Sequence, residues 1–490
     1  MKLQKLLADV EVTELHADAG TEIGDISYDS RNTKPGDLFV AVRGYESDGH
    51  KFIGAACKAG AAVILCEEAP SEDVPYVLVR DSRLALALVS KNYFGDPASE
   101  MKLVGVTGTN GKTTTTLLIK HVLEDVEGAK VGLIGTIQNM IGQEAIHTER
   151  TTPESYELQK LFREMADAGC QYVVMEVSSH SLALDRVAGV RFAVAVFTNL
   201  TQDHLDFHKT MEAYAGAKAK LFERCDRAAI NVDDEWGGYM VERCRCPAFT
   251  YSETKLEADL VAKDIRLTPS NVKFCALAMN SLERVTLSIP GRFSVYNAMS
   301  VISACLLLNL PLDSICQSLK TATGVKGRVE VVPTPEDFTI LIDYAHTPDA
   351  LENVLKSMRE VTSGRLVALF GCGGDRDKTK RPIMGNIGTS LADFSIITSD
   401  NPRTEVPADI IADIVAGVKV PKNRYKIIED RPEAIRWAID NHQSGDVIIL
   451  AGKGHEDYQI VGKEKHHMDE REIVADHRRD LAPFPQPVDD

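Results

Sequence analysis

Lys112 and Thr113 stand at the end of a glycine-bearing loop, in the stretch Val104-Gly-Val-Thr-Gly-Thr-Asn-Gly-Lys-Thr-Thr-Thr-Thr116. Glycines at 108 and 111 let backbone N–H groups turn toward phosphate oxygens, and a helix opening at Lys112 adds the positive end of its dipole. The lysine ammonium then reaches the β and γ phosphates, and the Thr113 hydroxyl is placed to ligate magnesium. Gly108, Thr109, Asn110, Gly111, Lys112, Thr113 and Thr114 are therefore the candidate cradle of a nucleoside triphosphate. The strict phosphate-loop pattern begins with a glycine where this chain has Val106, so the loop is a variant.

Other segments carry chemistry at similar places. Tyr172-Val-Val-Met-Glu176 is an apolar run ending in a carboxylate, followed directly by Val177-Ser-Ser-His-Ser-Leu182. In a nucleotide-binding core that is where a magnesium-ligating acid belongs, although a surface glutamate is the common alternative. Asn199-Leu-Thr-Gln-Asp-His-Leu-Asp-Phe-His208 gathers two histidines and two aspartates after another apolar run. A solvated loop and a metal or proton-transfer site fit it equally well. Lys218 lies in the helix-like run 212–223, and spacing alone reads it as a solvated cation. Asp400-Asn-Pro-Arg403 has turn chemistry, yet the planar fork of Arg403 suits bidentate binding of a carboxylate.

Strand–helix alternation must position these groups. Short strands are expected at 26–28, 38–42, 62–66 and 76–79, and Asn92-Tyr-Phe-Gly-Asp-Pro-Ala-Ser-Glu100 is a loop-like boundary. Strands at 102–107, 129–135, 171–177, 192–198 and 227–232 alternate with helical runs such as 154–168, the pattern of a doubly wound α/β core. After Gly324-Val-Lys-Gly-Arg-Val-Glu330 the alternation restarts, with strands at 340–342, 366–370, 394–397 and 447–450. The fold class is α/β with three domains, at 1–98, 99–328 and 329–490.

At 490 residues the chain has room for about three domains. Its 44% hydrophobic and 26% charged content is that of a soluble globular protein. A formal net charge of −17 argues against nucleic acid and against an anionic membrane surface. The apolar run at the N-terminus is too short for a signal peptide, and no stretch is long enough to span a bilayer. A cytoplasmic address is expected. Of the ten cysteines only Cys244 and Cys246 are close in sequence, which suits reduced, structural thiols.

Taken together, Thr107–Thr114, Glu176-Val-Ser-Ser-His180, Asn199–His204, Ala217-Lys218, Gly327-Arg-Val329, Asp343-Tyr-Ala-His346 and Asp400–Arg403 resemble the motifs of the Mur ligases. The resemblance runs from Ser30 to Glu456. It implies an N-terminal domain for a UDP-sugar, a central ATPase domain and a C-terminal Rossmann-like domain. The chemistry implied is ATP-dependent amide formation through an acyl phosphate, within cell-wall peptidoglycan synthesis. Lys112, Glu176, His204 and Lys218 correspond to catalytic positions. Two magnesium ions are implied, one at Thr113 and Glu176, the other at His204 and a CO2-derived carbamate on Lys218. Carbamylation turns an ammonium into an anionic oxygen ligand.

Asn297, Arg328 and Asp343 correspond to further ATP contacts. Ser30, Thr151, Thr152, Ser178 and Arg186 correspond to contacts with UDP-N-acetylmuramoyl-L-alanyl-D-glutamate. Leu184 departs from a glutamine that relatives often carry, so a hydrogen-bonding contact there is lost or replaced. Arg376, Asp400, Asn401, Pro402, Arg403, Gly452 and Glu456 correspond to amino-acid contacts, and the Asp-Asn-Pro-Arg form implies meso-diaminopimelate rather than L-lysine. Glu456 is expected to pair with the distal ammonium, and a monomer is expected. The alternatives are lysine addition, another amide ligase on the same scaffold such as a folylpolyglutamate synthetase, or a nucleotide switch. A dinucleotide-binding oxidoreductase is weakly suggested by Gly371-Cys-Gly-Gly-Asp-Arg376, where Arg376 replaces the last fingerprint glycine.

Overall fold

Buried apolar strands at the expected places organise the structure, a computed structural model describing residues 1–44, 47–148, 150–334 and 337–481. Residues 482–490 of the expected third domain lie outside the described residues. The chain packs as two compact units. One comprises Met1–Ala262 with Ala276–Glu283 and Tyr296–Ser318; the other is chiefly the chain from Leu319 onward.

The first unit holds two sheets. In the smaller, strands Ile26–Ser27, Leu38–Val40, Val63–Cys66 and Tyr76–Val79 pair in parallel, and Val12–His16 adds antiparallel to the last. Hydrophobic side chains cover both faces, as a parallel sheet requires. In the larger sheet, Lys102–Thr107 is flanked in parallel by Tyr172–Glu176 on one side and Phe192–Phe197 on the other. Val131–Ile134 and Cys225–Asn231 extend it outward. The register sets Glu176 level with Val106, and Phe197 level with Thr107, so both neighbouring strands end beside the start of the glycine loop.

Helix Lys112–Glu127 follows the glycine loop, burying Leu118, Ile119, Val122 and Leu123 along one face. Gly111 caps it at φ 85° and Gly128 ends it at φ 61°, left-handed conformations that favour glycine. The helix-like run 212–223 is an α-helix only over Met211–Ala219, with a tighter 3-10 turn over Lys220–Glu223. Strands Leu260–Leu267, Val272–Ala278 and Ser281–Leu287 form where the alternation pattern predicts none. In Val272–Ala278 buried and more exposed positions alternate, the period-two signal of a one-sided strand.

The second unit is built on a sheet in the order Glu330–Val332, Thr339–Asp343, Val447–Ala451, Leu366–Phe370, Phe394–Ile397, Tyr425–Ile427, parallel apart from the first pair. Val447–Ala451 sits between strands that follow one another in sequence, so chain connections diverge there. Ligands bind at such a switch point beyond the carboxyl ends of the strands.

Candidate active site

Both parallel neighbours of Lys102–Thr107 deliver their following loops to the glycine loop. On one side, Thr198 Oγ1 donates to Asn110 O at 2.7 Å, Asn110 N donates to Asn199 Oδ1 at 2.9 Å, and Thr109 N donates to Asn199 O at 2.9 Å. The start of the Asn199–His208 segment thus holds the loop from beneath. A Cβ on Gly108 would lie 1.9 Å from Thr198 Oγ1, which is why that position is glycine. Gly108→Ala is expected to weaken ADP binding by about five- to 150-fold, read by calorimetry, because overpacking costs about 1–3 kcal/mol. Asn297, 4% exposed, packs against Gly111 from another helix.

On the other side Glu176 is 1% exposed, and both its oxygens are satisfied. Oε1 accepts from Thr113 Oγ1 at 3.0 Å and Thr136 N at 2.9 Å, and Oε2 accepts from Thr136 Oγ1 at 3.0 Å. Thr136 carries no signal in the sequence; it follows a separate strand and only pairing brings it here. The Thr113 hydroxyl and Glu176 carboxylate fit magnesium, which takes one or two protein oxygens and completes its shell with phosphate and water. Among the described residues no cage of three or more histidine, cysteine or acidic side chains is formed.

Lys112 donates from Nζ to Gly108 O at 2.9 Å and Thr109 O at 3.0 Å. Lys218, 1% exposed, donates to Gly108 O at 2.8 Å and lies 4.6 Å from the Tyr214 ring centroid. It is not a solvated cation. Burial, reinforced by the Lys112 charge, drives its pKa well below the ordinary lysine value, whereas Asp203 opposes the shift. His204 takes a left-handed backbone at φ 53°, its ring 4.9 Å from His180 and 6.1 Å from Tyr214. Burial lowers the pKa of His180, and that of His208 to about 4. His208 accordingly stays neutral, bonded to Ser179 Oγ at 2.9 Å.

Four of the five expected sugar-peptide positions converge beside Glu176. Thr152 Oγ1 donates to Glu176 O at 2.9 Å and accepts from Ser178 N at 3.2 Å. Arg186 donates to Thr152 O at 3.2 Å and pairs with Glu154 at 2.7 Å. Thr151 Oγ1 is 3.0 Å from Thr136 Oγ1. Ser30 lies in the turn after Ile26–Ser27, and no hydrogen bond joins it to the other four among the described residues. Leu184 ends the short helix Ser179–Ala183 just ahead of Arg186. Glu154 also lines a cleft of about 350 Å³ with Tyr28, Asn139, His147, Thr148, Arg150, Pro153 and Glu157.

In the second unit the loops after Thr339–Asp343, Leu366–Phe370, Phe394–Ile397 and Val447–Ala451 enclose a cleft of about 290 Å³. Arg376, Asp400, Asn401, Arg403, Gly452 and Glu456 all line it, with Tyr344, His346 and Lys380. Pro402, expected among the contacts, is not part of the lining; it packs on the neighbouring loop, its carbonyl oxygen 1.9 Å from where a Cβ on Gly374 would lie. Arg403, at φ 52°, donates to Gly374 O at 2.9 Å. Asp343 accepts from Val329 N and Ala345 N, each at 2.8 Å, and burial raises its pKa. Arg328 lies over the Tyr344 ring at 5.4 Å.

Three family models match the chain in order: the Mur ligase family catalytic domain over 22–106, the Mur ligase middle domain over 106–305, and the Mur ligase glutamate ligase domain over 327–454. The UDP-N-acetylmuramoyl-L-alanyl-D-glutamate–2,6-diaminopimelate ligase of Clostridium botulinum is 48% identical over 97% of this chain and 99% of its own. The chain belongs to the Mur ligase family. The enzyme of the same name from Caldanaerobacter subterraneus is also 48% identical, over 97% of this chain and 98% of its own. A solved structure of a UDP-N-acetylmuramoyl-L-alanyl-D-glutamate–2,6-diaminopimelate ligase has 32% identity and a TM-score of 0.78, covering 98% and 99% of the two chains. A MurF ligase from Thermotoga maritima in complex with ADP, at 21% identity and TM-score 0.57, shares the fold, covering 89% of this chain and 94% of its own. This Mur ligase thus has N-terminal, middle and C-terminal family domains. No helix among the described residues is long and apolar enough to cross a membrane.

The cleft of this Mur ligase is braced by residues that the motifs do not include. Arg381, 0% exposed, bonds Glu405 at 2.8 and 3.0 Å and Asp413 at 2.9 Å. Asp375 accepts from Thr404 Oγ1 at 2.8 Å, lacing the loop of Arg376 to that of Arg403. The Arg381 guanidinium holds the Glu405 carboxyl down at about 2. Because that pKa is depressed on folding, the associated stability is present above the ordinary glutamate range and is lost as pH falls toward 2. Arg381→Met is expected to lower the Tm by several degrees at pH 7 and to flatten this acid limb, read by thermal unfolding between pH 7 and 3.

All ten cysteines are free. Cys225 Sγ lies 3.3 Å from Cys246 Sγ, a contact between the first residue of strand Cys225–Asn231 and the segment leading into its parallel neighbour Ala248–Ser252, which sequence spacing does not reveal. Burial and the neighbouring thiols raise the Cys225 pKa, as expected of a structural thiol.

Proposed function

We propose that this Mur ligase uses ATP to join meso-diaminopimelate to UDP-N-acetylmuramoyl-L-alanyl-D-glutamate in the cytoplasm. The observation that carries the reading is the single cleft gathering Arg376, Asp400, Asn401, Arg403, Gly452 and Glu456, in a chain 48% identical to ligases of that name. A diamino dicarboxylic acid needs cations for its carboxylates and anions for its ammonium, and the cleft lining supplies both. The domain limits we assign are 1–98, 99–328 and 329–490.

In the first unit, the Gly108–Thr114 backbone and Lys112 bind the β and γ phosphates, with Asn297 on the adenine side. Thr152, Ser178 and Arg186 orient the dipeptide, whose D-glutamyl carboxylate takes the γ-phosphoryl group. ATP is required because a bare carboxylate has no good leaving group, whereas in an acyl phosphate the amine bonds the acyl carbon as the C–O bond to phosphate breaks, releasing phosphate and one proton from the nitrogen. Thr113 and Glu176 would hold one magnesium ion, and His204 with carbamylated Lys218 a second; bound there, the ions would offset charge on the phosphoryl group and acyl phosphate. To carbamylate, Lys218 Nζ bonds the carbon of CO2 and releases one proton. The depressed pKa of Lys218 favours the neutral amine that this step needs.

Phosphate release by the purified full chain, with ATP, the UDP-muramoyl dipeptide and either meso-diaminopimelate or L-lysine, tests the reading. Release is expected only with all three substrates, and with diaminopimelate strongly preferred. Release driven equally by lysine, or without any UDP-sugar, would refute it.

A further inference from the structure

Lys453 carries a charge where packing needs none. Its side chain is 0% exposed, yet it sits between Gly452 and Gly454, at φ 116° and 54°, on the loop that supplies Glu456 to the cleft. A Cβ on Gly454 would meet the Tyr344 Cβ at 2.6 Å, so the turn around Lys453 is tightly set. The ammonium donates to Glu456 Oε2 at 2.8 Å and to Asn401 Oδ1 at 2.9 Å. Asn401 Nδ2 closes the ring by donating to the same Glu456 oxygen at 3.0 Å. Ile460 N, donating to Asn401 Oδ1 at 2.9 Å, fixes which way the amide points. Two other buried carboxylates nearby have their own partners: Glu470 pairs with Arg431 at 2.8 Å, and Asp400 accepts from Asn401 N at 2.6 Å. A buried ammonium is costly unless paired, and an apolar side chain of equal length would fill the space. What the lysine adds is a fixed carboxylate at the cleft. Both bonds end on Oε2, and among the described residues no donor reaches Oε1, which is left for a ligand.

We propose that Lys453 is a positioning residue for amino-acid specificity, locking Glu456 and Asn401 in the pose that receives the distal ammonium of a diamino dicarboxylic acid. The proposal rests on the amino-acid reading under Proposed function. Glu456 therefore meets its ligand as one member of a ring already assembled with Lys453 and Asn401.

Phosphate release by the full chain, with ATP and UDP-muramoyl dipeptide, is measured against meso-diaminopimelate and 2-aminopimelate, which keeps both carboxylates but lacks the distal amine. A wild-type enzyme indifferent to diaminopimelate would overturn the functional reading itself. With wild-type activity established, Lys453→Met is expected to raise KM for diaminopimelate at least about tenfold, leave KM for ATP unchanged, and bring the two amino acids within about threefold of each other. The double variant Lys453→Met/Glu456→Gln is expected to be no worse than Glu456→Gln alone, since one residue acts through the other. Lys453→Gln, which keeps a donor, guards against misfolding and is expected to fall between wild type and Lys453→Met. Additive losses in the double variant, or an unchanged amino-acid preference in whichever variant folds, would overturn the proposal. So would parallel loss of Tm and ATP affinity in both Lys453 variants, which would mark the lysine as structural only.

Discussion

Replacing Lys218 by alanine is expected to lower dipeptide-dependent phosphate release by about three orders of magnitude, and added short carboxylic acids such as acetate should restore part of it. The side chain is fully enclosed, bonded to Gly108 O at 2.8 Å and close to the Tyr214 ring. Alanine leaves a gap beside the phosphate loop that a small carboxylate can enter, supplying the oxygen ligand that the carbamate would otherwise provide. Lys218→Arg fills the same gap with a permanent cation, which cannot be carbamylated, and should stay inactive in acetate. Full activity of Lys218→Ala without any additive would remove this residue from the chemistry. Intact-mass analysis of the wild-type protein under CO2 gives an independent check, since a carbamate adds the mass of one CO2.

Arg403→Met is expected to abolish the preference for meso-diaminopimelate over L-lysine, which in the wild type should be on the order of 10⁴ in kcat/KM. The two amino acids differ by a distal carboxylate. Arg403 lines the cleft, and the bond from Nη1 to Gly374 O leaves the rest of its five-donor fork for a ligand. A Cβ on Gly373 would lie 2.9 Å from that Nη1, so the loop is shaped around the guanidinium. The loss should appear mainly as a higher KM for diaminopimelate, with little change for lysine. Comparable kcat/KM for both amino acids in the wild-type enzyme would sink the assignment. An equal loss with both in Arg403→Met would instead give the arginine a structural role.

The glycine loop, the strand ending in Glu176 and the Asp400–Arg403 turn are legible without any fold, because phosphate binding and tight turns demand particular residue types at short spacing. Thr136 and Lys453 have no such signature. A threonine after a strand and a lysine between glycines are ordinary until pairing places them against Glu176 and Glu456. Cys225 and Cys246 make the same point: Cys244 and Cys246 are close in sequence, but the contact of Cys246 with Cys225, 21 residues away, is set only by folding. Strands within 260–287 escape the alternation pattern because buried parallel strands are continuously apolar, and these are partly exposed.

Residue type, period and order along the chain are enough for the nucleotide chemistry, the alternating α/β architecture and, through the resemblance to the Mur ligases, the class of reaction. No packing is needed to express them. The protonation of Lys218, the brace of Arg381 and the ring of Lys453, Asn401 and Glu456 exist only once the chain is folded. The difference is electrostatic. A charge in water is nearly independent of its neighbours, whereas one enclosed among strands that are distant in sequence takes its behaviour from whatever the fold sets beside it.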